Sequence, residues 1–207
     1  SAHGIPCVGI PGTIDNDISC TDYTIGYDTA MNTAVEMIDK IRDTAQSHDR
    51  CSVVEVMGRR AGHIALNTGI ACGASFIIVP EVGYHIEDVI TKISAARELG
   101  KHHFIIVVAE GIGKVDEISK EIETRTGIET RGTVLGHVQR GGNPSVRDRV
   151  EATRMGYRAV ELLEQGIGNR VIGIKGAEIV DYDIQEALQM KKSFDMELYH
   201  IANEISF

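Results

Sequence analysis

The run Phe104-Ile-Ile-Val-Val-Ala109 constrains the fold more than any other stretch of the chain. Its six residues are all apolar and mostly β-branched, so neither face suits water, and such a strand belongs in a sheet covered on both sides. Parallel sheets have that property, because their crossover connections lay helices over the faces. The rest of the chain alternates to match. Residues 5–10 predict a buried strand ending at Pro11, and residues 28–45 a helix, with Ala30, Ala34, Val35, Ile38 and Ile41 at helical spacing. Residues 52–57 and 76–79 read as strands, 61–71 and 87–99 as helices. After the central run come a helix over 116–126 and a strand tip at 133–135. Ser145 is placed to cap a long helix that ends at Gly166, with Asp148 in its first turn. Residues 171–174 form a last short strand before helical C-terminal material. This succession predicts an α/β fold with a largely parallel sheet.

Composition narrows the partners. The formal charge of −9 over 207 residues disfavours nucleic acid, which is bound by clustered positive charge. It leaves room for a small anion held by a few local arginines. No apolar run approaches the ~20 residues that span a bilayer, and no charged segment followed by an apolar one opens the chain as a signal peptide would. Cys7, Cys20, Cys51 and Cys72 lack metal or disulfide spacing, so reduced, mostly buried thiols in a cytoplasmic protein are expected. Of eight histidines only His102 and His103 are adjacent. No repeat or low-complexity linker marks a domain boundary. Ser1-Ala-His-Gly leads straight into a core strand, which reads as the start of a fragment.

Four loops after strands hold the unusual residues, where open α/β sheets bind ligands. In 11–17 (PGTIDND), an extended backbone turns Thr13, Asp15 and Asp17 the same way and Ile14 and Asn16 elsewhere. That arrangement serves a general base and a metal-holding carboxylate, or is an Asp/Asn-rich surface turn. In 57–62 (MGRRAG), glycines and arginines suit a phosphate, or make an ordinary glycine turn. Glu110 after the central run either accepts hydrogen bonds from sugar hydroxyls or caps the next segment. In 136–142 (GHVQRGG), His137, Gln139 and Arg140 sit among glycines that free backbone donors, which fits an anion site or a flexible charged loop. Arg131 upstream adds a phosphate contact or is solvated. A metal-hydrolase pair at Asp15 and Asp17 lacks further ligands.

Five spaced stretches, PGTIDND, DYTIGYDTA, VVEVMGRRAGHIAL, VVAEG and TRGTVLGHVQRGGNPSVRDR, resemble in order those of bacterial ATP-dependent 6-phosphofructokinases. The resemblance covers nearly the whole chain. It implies a three-layer parallel-sheet fold with one small complete domain, residues 27–139, which binds fructose 6-phosphate. Residues 1–26 and 140–207 are then parts of a larger nucleotide-side domain, the latter including the C-terminal helices. Asp15 resembles the general base that takes the C1 hydroxyl proton while that oxygen attacks the γ-phosphorus of ATP. Thr13 would lie beside the transferred phosphoryl group, with Ile14 also in contact. Asp17 would help position Mg2+ indirectly, and Arg59 would stabilise the charge in flight. Met57, Gly58 and Glu110 resemble sugar contacts. His137, Val138, Gln139 and Arg140 would line the 6-phosphate site, which Arg50 and Arg131 reach from a neighbouring subunit of a homotetramer. Gly12, where pyrophosphate-dependent relatives have lysine, favours ATP as donor.

Arg42, Gly73, Lys101, His102 and His103 fall where regulated members bind an ADP or phosphoenolpyruvate effector. Ser75 and Leu99 replace an acidic residue and a lysine there, so weak control by ADP is expected. Alternatives are a sugar-phosphate-binding module that transfers nothing, and a pyrophosphate-dependent enzyme. The glycine-rich loops that hold ATP phosphates in this family are not among the 207 residues. Because positioning supplies most of the catalysis in phosphoryl transfer, the chain by itself should form no fructose 1,6-bisphosphate from fructose 6-phosphate and ATP. Product formation by purified chain, absent from an Asp15→Ala control, would refute this.

Overall fold

Strand β4 (Phe104–Ala109) is buried along its whole length, as its composition requires. In the computed structural model of the chain, which describes residues 3–206, it lies inside a four-stranded sheet ordered β3-β4-β2-β5, with every pairing parallel. The partners are β2 (Cys51–Val56), β3 (Phe76–Ile78) and β5 (Thr130–Val134). Cys51 pairs with Phe104, so Val53, Ile106 and Val108 share one face with them. That face packs on Val89, Ile93 and Ala96 of α3 (Ile86–Glu98) and on Val115, Ile118 and Ile122 of α4 (Val115–Thr126). The opposite face carries Val54, Val56, Ile105 and Val107 and is covered by α1 (Tyr27–Ser47) and α2 (His63–Ala71). Gly69 lets α2 close on β3, since a Cβ there would lie 2.6 Å from Ile77. Each fully buried large side chain contributes about 1.5–3 kcal/mol. This three-layer α/β unit, the second in chain order, comprises Ala30–Gly141 and the described residues from Phe194 onward.

The first unit in chain order comprises the described residues up to Thr29 together with Gly142–Ser193. Its sheet is ordered β1-β6-β7, with β1 (Val8–Gly9) parallel to β6 (Arg170–Lys175) and β7 (Glu178–Asp183) antiparallel to it. Helix α5 (Val146–Glu164) lies on the strands and buries Met155, Ala159 and Leu162. Its cap is the expected one, Ser145 Oγ accepting from the backbone N–H of Asp148 at 3.2 Å. The short α6 (Ile184–Ala187) follows β7.

Several expectations are corrected. The strand expected over 5–10 is only Val8–Gly9, with Ile5 64% and Ile10 41% exposed, because β1 pairs with β6 alone. β5 starts at Thr130 rather than 133, since β2 pairs with it from Cys51 on. Strand β7 stands where helix was expected. Gly176, at φ 58°, opens the two-residue turn between β6 and β7, and glycine takes that conformation without a Cβ penalty. The last helix, α7 (Met196–Ile205), does not join the 140–207 segment. It packs on α2 and β3 of the other unit, burying Tyr199 and Ala202. Cys7 is exposed, whereas Cys20, Cys51 and Cys72 are buried thiols.

Asp148 ties the first unit together. It is buried, and it accepts hydrogen bonds from Tyr23 Oη, Thr29 Oγ1, Gly26 N at 2.7 Å and Thr29 N at 2.9 Å. Arg147 stacks over the Tyr23 ring, 4.4 Å from its centroid. Burial alone would raise the pKa of Asp148, but these donors outweigh it and hold the carboxyl below its ordinary 3.8. A carboxyl depressed in the folded state contributes stability above its unfolded pKa and loses it as pH falls through the folded value. Asp148→Asn should therefore cost about 2–3 kcal/mol at neutral pH, read as a lower urea midpoint. The variant should also lose less stability than wild type as pH falls below 3.8. Equal midpoints at pH 7 would refute the role.

Candidate active site

Four parallel strands run the same way, so their carboxyl ends share one edge of the second unit's sheet. Three of the four loops singled out in the sequence leave from that edge. After β2 the chain turns sharply through Gly58 at φ 148° and Arg59 at φ 57°. The Gly58 carbonyl accepts from Ala61 N at 2.9 Å, and a Cβ on Gly58 would stand 2.6 Å from the Ala61 carbonyl oxygen. Arg59 is not glycine, and its left-handed conformation is held from outside. Glu110, beyond β4, accepts the Arg59 N–H on Oε1 at 2.5 Å. Gly62 N donates to Glu81 beyond β3 at 2.8 Å. Of the two roles expected for Glu110, fixing a neighbouring loop is therefore built into the fold, although the loop is 57–62 and not the segment that follows it.

The segment Gly136–Arg140 beyond β5 forms a single 3₁₀ turn. It exposes His137, Val138 and Arg140 and buries Gln139. Gln139 Oε1 accepts the Met57 N–H at 2.8 Å, and its Nε2 is buried without a protein partner among the described residues. Gln139, expected among the ligand-contacting residues, thus holds Met57 in place. Glu55 of β2 has its pKa raised by burial and then by the charge of Glu110. Glu81 and the burial of Gln139 gave no sequence signal, because each depends on a loop distant in the chain.

The first unit holds the fourth loop, and its shape corrects an expectation. Ile14 and Asp15 form a turn and Asn16 is left-handed at φ 51°, so the backbone is not extended and does not turn Asp15 and Asp17 the same way by alternation. Asparagine tolerates this conformation because its short amide bonds locally. Asp15 is 6% exposed, and its N–H donates to Thr13 Oγ1 at 3.2 Å. Residues 24–25 support the loop, Thr24 Oγ1 bonding Thr13 O at 2.7 Å and Ile25 N bonding Pro11 O at 3.0 Å. Gly12 is exposed and faces no atom within 4 Å of where a Cβ would stand.

Arg50 and Arg131 lie at the other edge of the second unit's sheet, where β2 and β5 begin. Arg131 pairs with Ser52, five residues before Met57, or about 16 Å at 3.3 Å per residue. The structure does not bring them to His137 and Arg140. Both arginines instead bond Glu129, at 2.7 Å and 2.6 Å, and their hydrogen bonds lower its pKa. Gly73 and Lys101–His103 precede β3 and β4 at this same edge. Burial, then the Arg42 charge, lowers the Lys101 pKa; burial, then Lys101 and Arg42, lowers that of His103. Arg42 pairs with Asp39 at 3.1 Å, while its Nη2 and Ser75 Oγ are buried without protein partners among the described residues.

Among the described residues no three His, Cys, Asp or Glu side chains group to hold a metal ion. Mg2+ keeps several of its waters and binds through one or two carboxylates and substrate phosphates, so an aspartate at position 17 suits its chemistry without a protein cage. Gly111 offers a test of the 57–62 loop, for a Cβ there would lie 2.8 Å from the Arg59 carbonyl oxygen. Gly111→Ala should cost about 1–3 kcal/mol in urea unfolding and speed amide exchange at residues 58–62. Unchanged exchange there would show that the loop does not depend on this close approach.

A phosphofructokinase family model matches residues 1–163. The ATP-dependent 6-phosphofructokinases of Bacillus cytotoxicus and Bacillus mycoides are 57% and 58% identical to the chain over 204 residues, covering 99% of it and 64% of each relative. The chain thus spans about 64% of the length of these curated relatives. The structure of phosphofructokinase from Saccharomyces cerevisiae matches it with a TM-score of 0.82 at 35% identity, over 97% of this chain and 27% of that one. The chain belongs to the phosphofructokinase family.

Proposed function

We propose that the chain supplies the sugar-phosphate site and the general base for phosphoryl transfer from ATP to the C1 hydroxyl of fructose 6-phosphate, a glycolytic, cytoplasmic reaction that gives fructose 1,6-bisphosphate and ADP. The supporting observation is the convergence of Met57–Arg59, Glu110 and the 137–140 turn on one sheet edge, each held by a named hydrogen bond. The identity to enzymes named for this reaction supports the substrate and donor, and the glycine at position 12 is consistent with ATP. His137 and Arg140 present an imidazole and a guanidinium to the 6-phosphate. Met57, Gly58 and the remaining Glu110 oxygen meet the sugar.

Asp15 accepts the C1 hydroxyl proton as that oxygen attacks the γ-phosphorus and ADP departs. Thr13 and Arg59 stabilise the charge on the phosphoryl group in flight. In the family Mg2+ supplies further charge neutralisation on the phosphates, and Asp17 is the residue here that would assist it. Arg50 and Arg131, remote along the strands from His137, serve the phosphate of a second copy in a homotetramer. The Arg42, Gly73 and Lys101–His103 group takes an anionic effector, with Ser75 and Leu99 weakening its response to ADP.

In the full-length gene product, Asp15→Asn should lower kcat by roughly 10²–10⁴-fold. Arg59→Ala should lower it by about 10²–10³-fold, and both should leave fructose 6-phosphate binding by calorimetry largely intact. An Asp15→Asn enzyme with near wild-type kcat would refute the assignment.

A further inference from the structure

Asn16 stands between the two aspartates of the 11–17 loop, and its left-handed backbone sets the direction of each. Its side chain is 6% exposed and bonded on both ends. Nδ2 donates to Asp22 O at 3.1 Å, while Oδ1 accepts from Thr24 Oγ1 at 3.4 Å and from Lys192 Nζ at 2.9 Å. Lys192 lies in the stretch after α6, and nothing in the sequence marked it. It also donates to Thr21 O at 2.8 Å, so it bridges the two ends of the segment that follows Asn16.

We propose that Lys192 is a positioning residue for Asp15, acting through the side chain of Asn16. The inference rests on the reading of Asp15 as general base. Asparagine tolerates the left-handed conformation without being confined to it, so the bonds of its amide are what hold the Asp15–Asp17 turn in one conformation. Lys192 provides the strongest of those bonds, because its donor is cationic and half-buried. Burial, with help from Lys175, lowers its pKa to about 8 against the opposing charges of Asp22, Asp17 and Cys20. Loss of one proton still leaves the amine two N–H donors for its two acceptors, Asn16 Oδ1 and Thr21 O. The clamp therefore persists on either side of its titration. Asp22 is itself engaged by Lys175 Nζ at 2.8 Å and Gly176 N at 2.9 Å, which keeps the 21–22 backbone in register with β6.

The test is steady-state kinetics on the full-length gene product. Lys192→Met should lower kcat by about 10–100-fold, the scale of a misplaced catalytic group, with KM for fructose 6-phosphate within about twofold of wild type. That split follows because the sugar-phosphate residues belong to the second unit. Lys192→Arg should recover most of the loss. Asn16→Gly keeps the positive φ, removes the acceptor and should reproduce the split, so it carries the test should Lys192→Met fail to fold. Faster amide exchange confined to residues 13–17 in either variant would accompany it. A kcat within about twofold of wild type for the folded variants overturns the inference. If Asp15→Asn abolishes turnover while these variants do not change it, the inference alone falls. If Asp15→Asn is silent, the base assignment falls and takes the inference with it.

Discussion

The parallel register of β4 with β2 and β3 is the constraint on which the functional arrangement depends. A strand as apolar as Phe104–Ala109 needs cover on both faces, and crossover helices provide it only when the strands run the same way. Uniform direction then sorts the loops. Everything after a strand collects at one edge of the sheet, and everything before a strand at the other. Met57–Arg59, Glu110 and His137–Arg140 share the first edge, while Arg50, Gly73 and Lys101–His103 share the second. The separation of these two groups of residues is thus a consequence of how a hydrophobic strand is buried.

At the first edge, precision comes from single polar side chains, of which Gln139 is buried, Glu110 half-buried and Glu81 exposed. Glu110 holds the left-handed Arg59, Gln139 holds Met57, and Glu81 holds Gly62. Each bond ties a loop to a side chain distant in sequence and so restricts that loop. The first unit works by the same means. Asp148 gathers residues 23–29, and residues 24–25 in turn brace the loop that carries Thr13 and Asp15. Lys192 completes the support from the C-terminal side. A buried carboxylate and a half-buried lysine, both far from the loop in sequence, thus bond the backbone and side chains around it.

The parts of the site differ in how they could be found. Thr13, Asp15, Arg59, His137 and Arg140 were visible because glycines, charges and strand ends coincide at them. Gln139 was visible for the same reason, but its bond to Met57 was not, since a sequence does not say which side of a turn faces the protein. Lys192 and Glu81 were invisible, being single charged residues in unremarkable surroundings. Among the described residues Asp17 joins no group of three His, Cys, Asp or Glu side chains.

The sequence by itself determined the α/β class, the central strand, the cap at Ser145 and the loops that carry chemistry. These follow from local rules of periodicity, branching and capping, which act within a few residues. Only the tertiary structure decided the reach of β1, the hairpin that makes β7, the attachment of α7 and the left-handed turn at Asn16. Each of these is set by a partner far away in the chain. Ile5–Ile10 is as apolar as a core strand but pairs along only two residues, and the 178–183 stretch becomes a strand because β6 offers it an edge. The amide oxygen of Asn16 accepts from Lys192, 176 residues later.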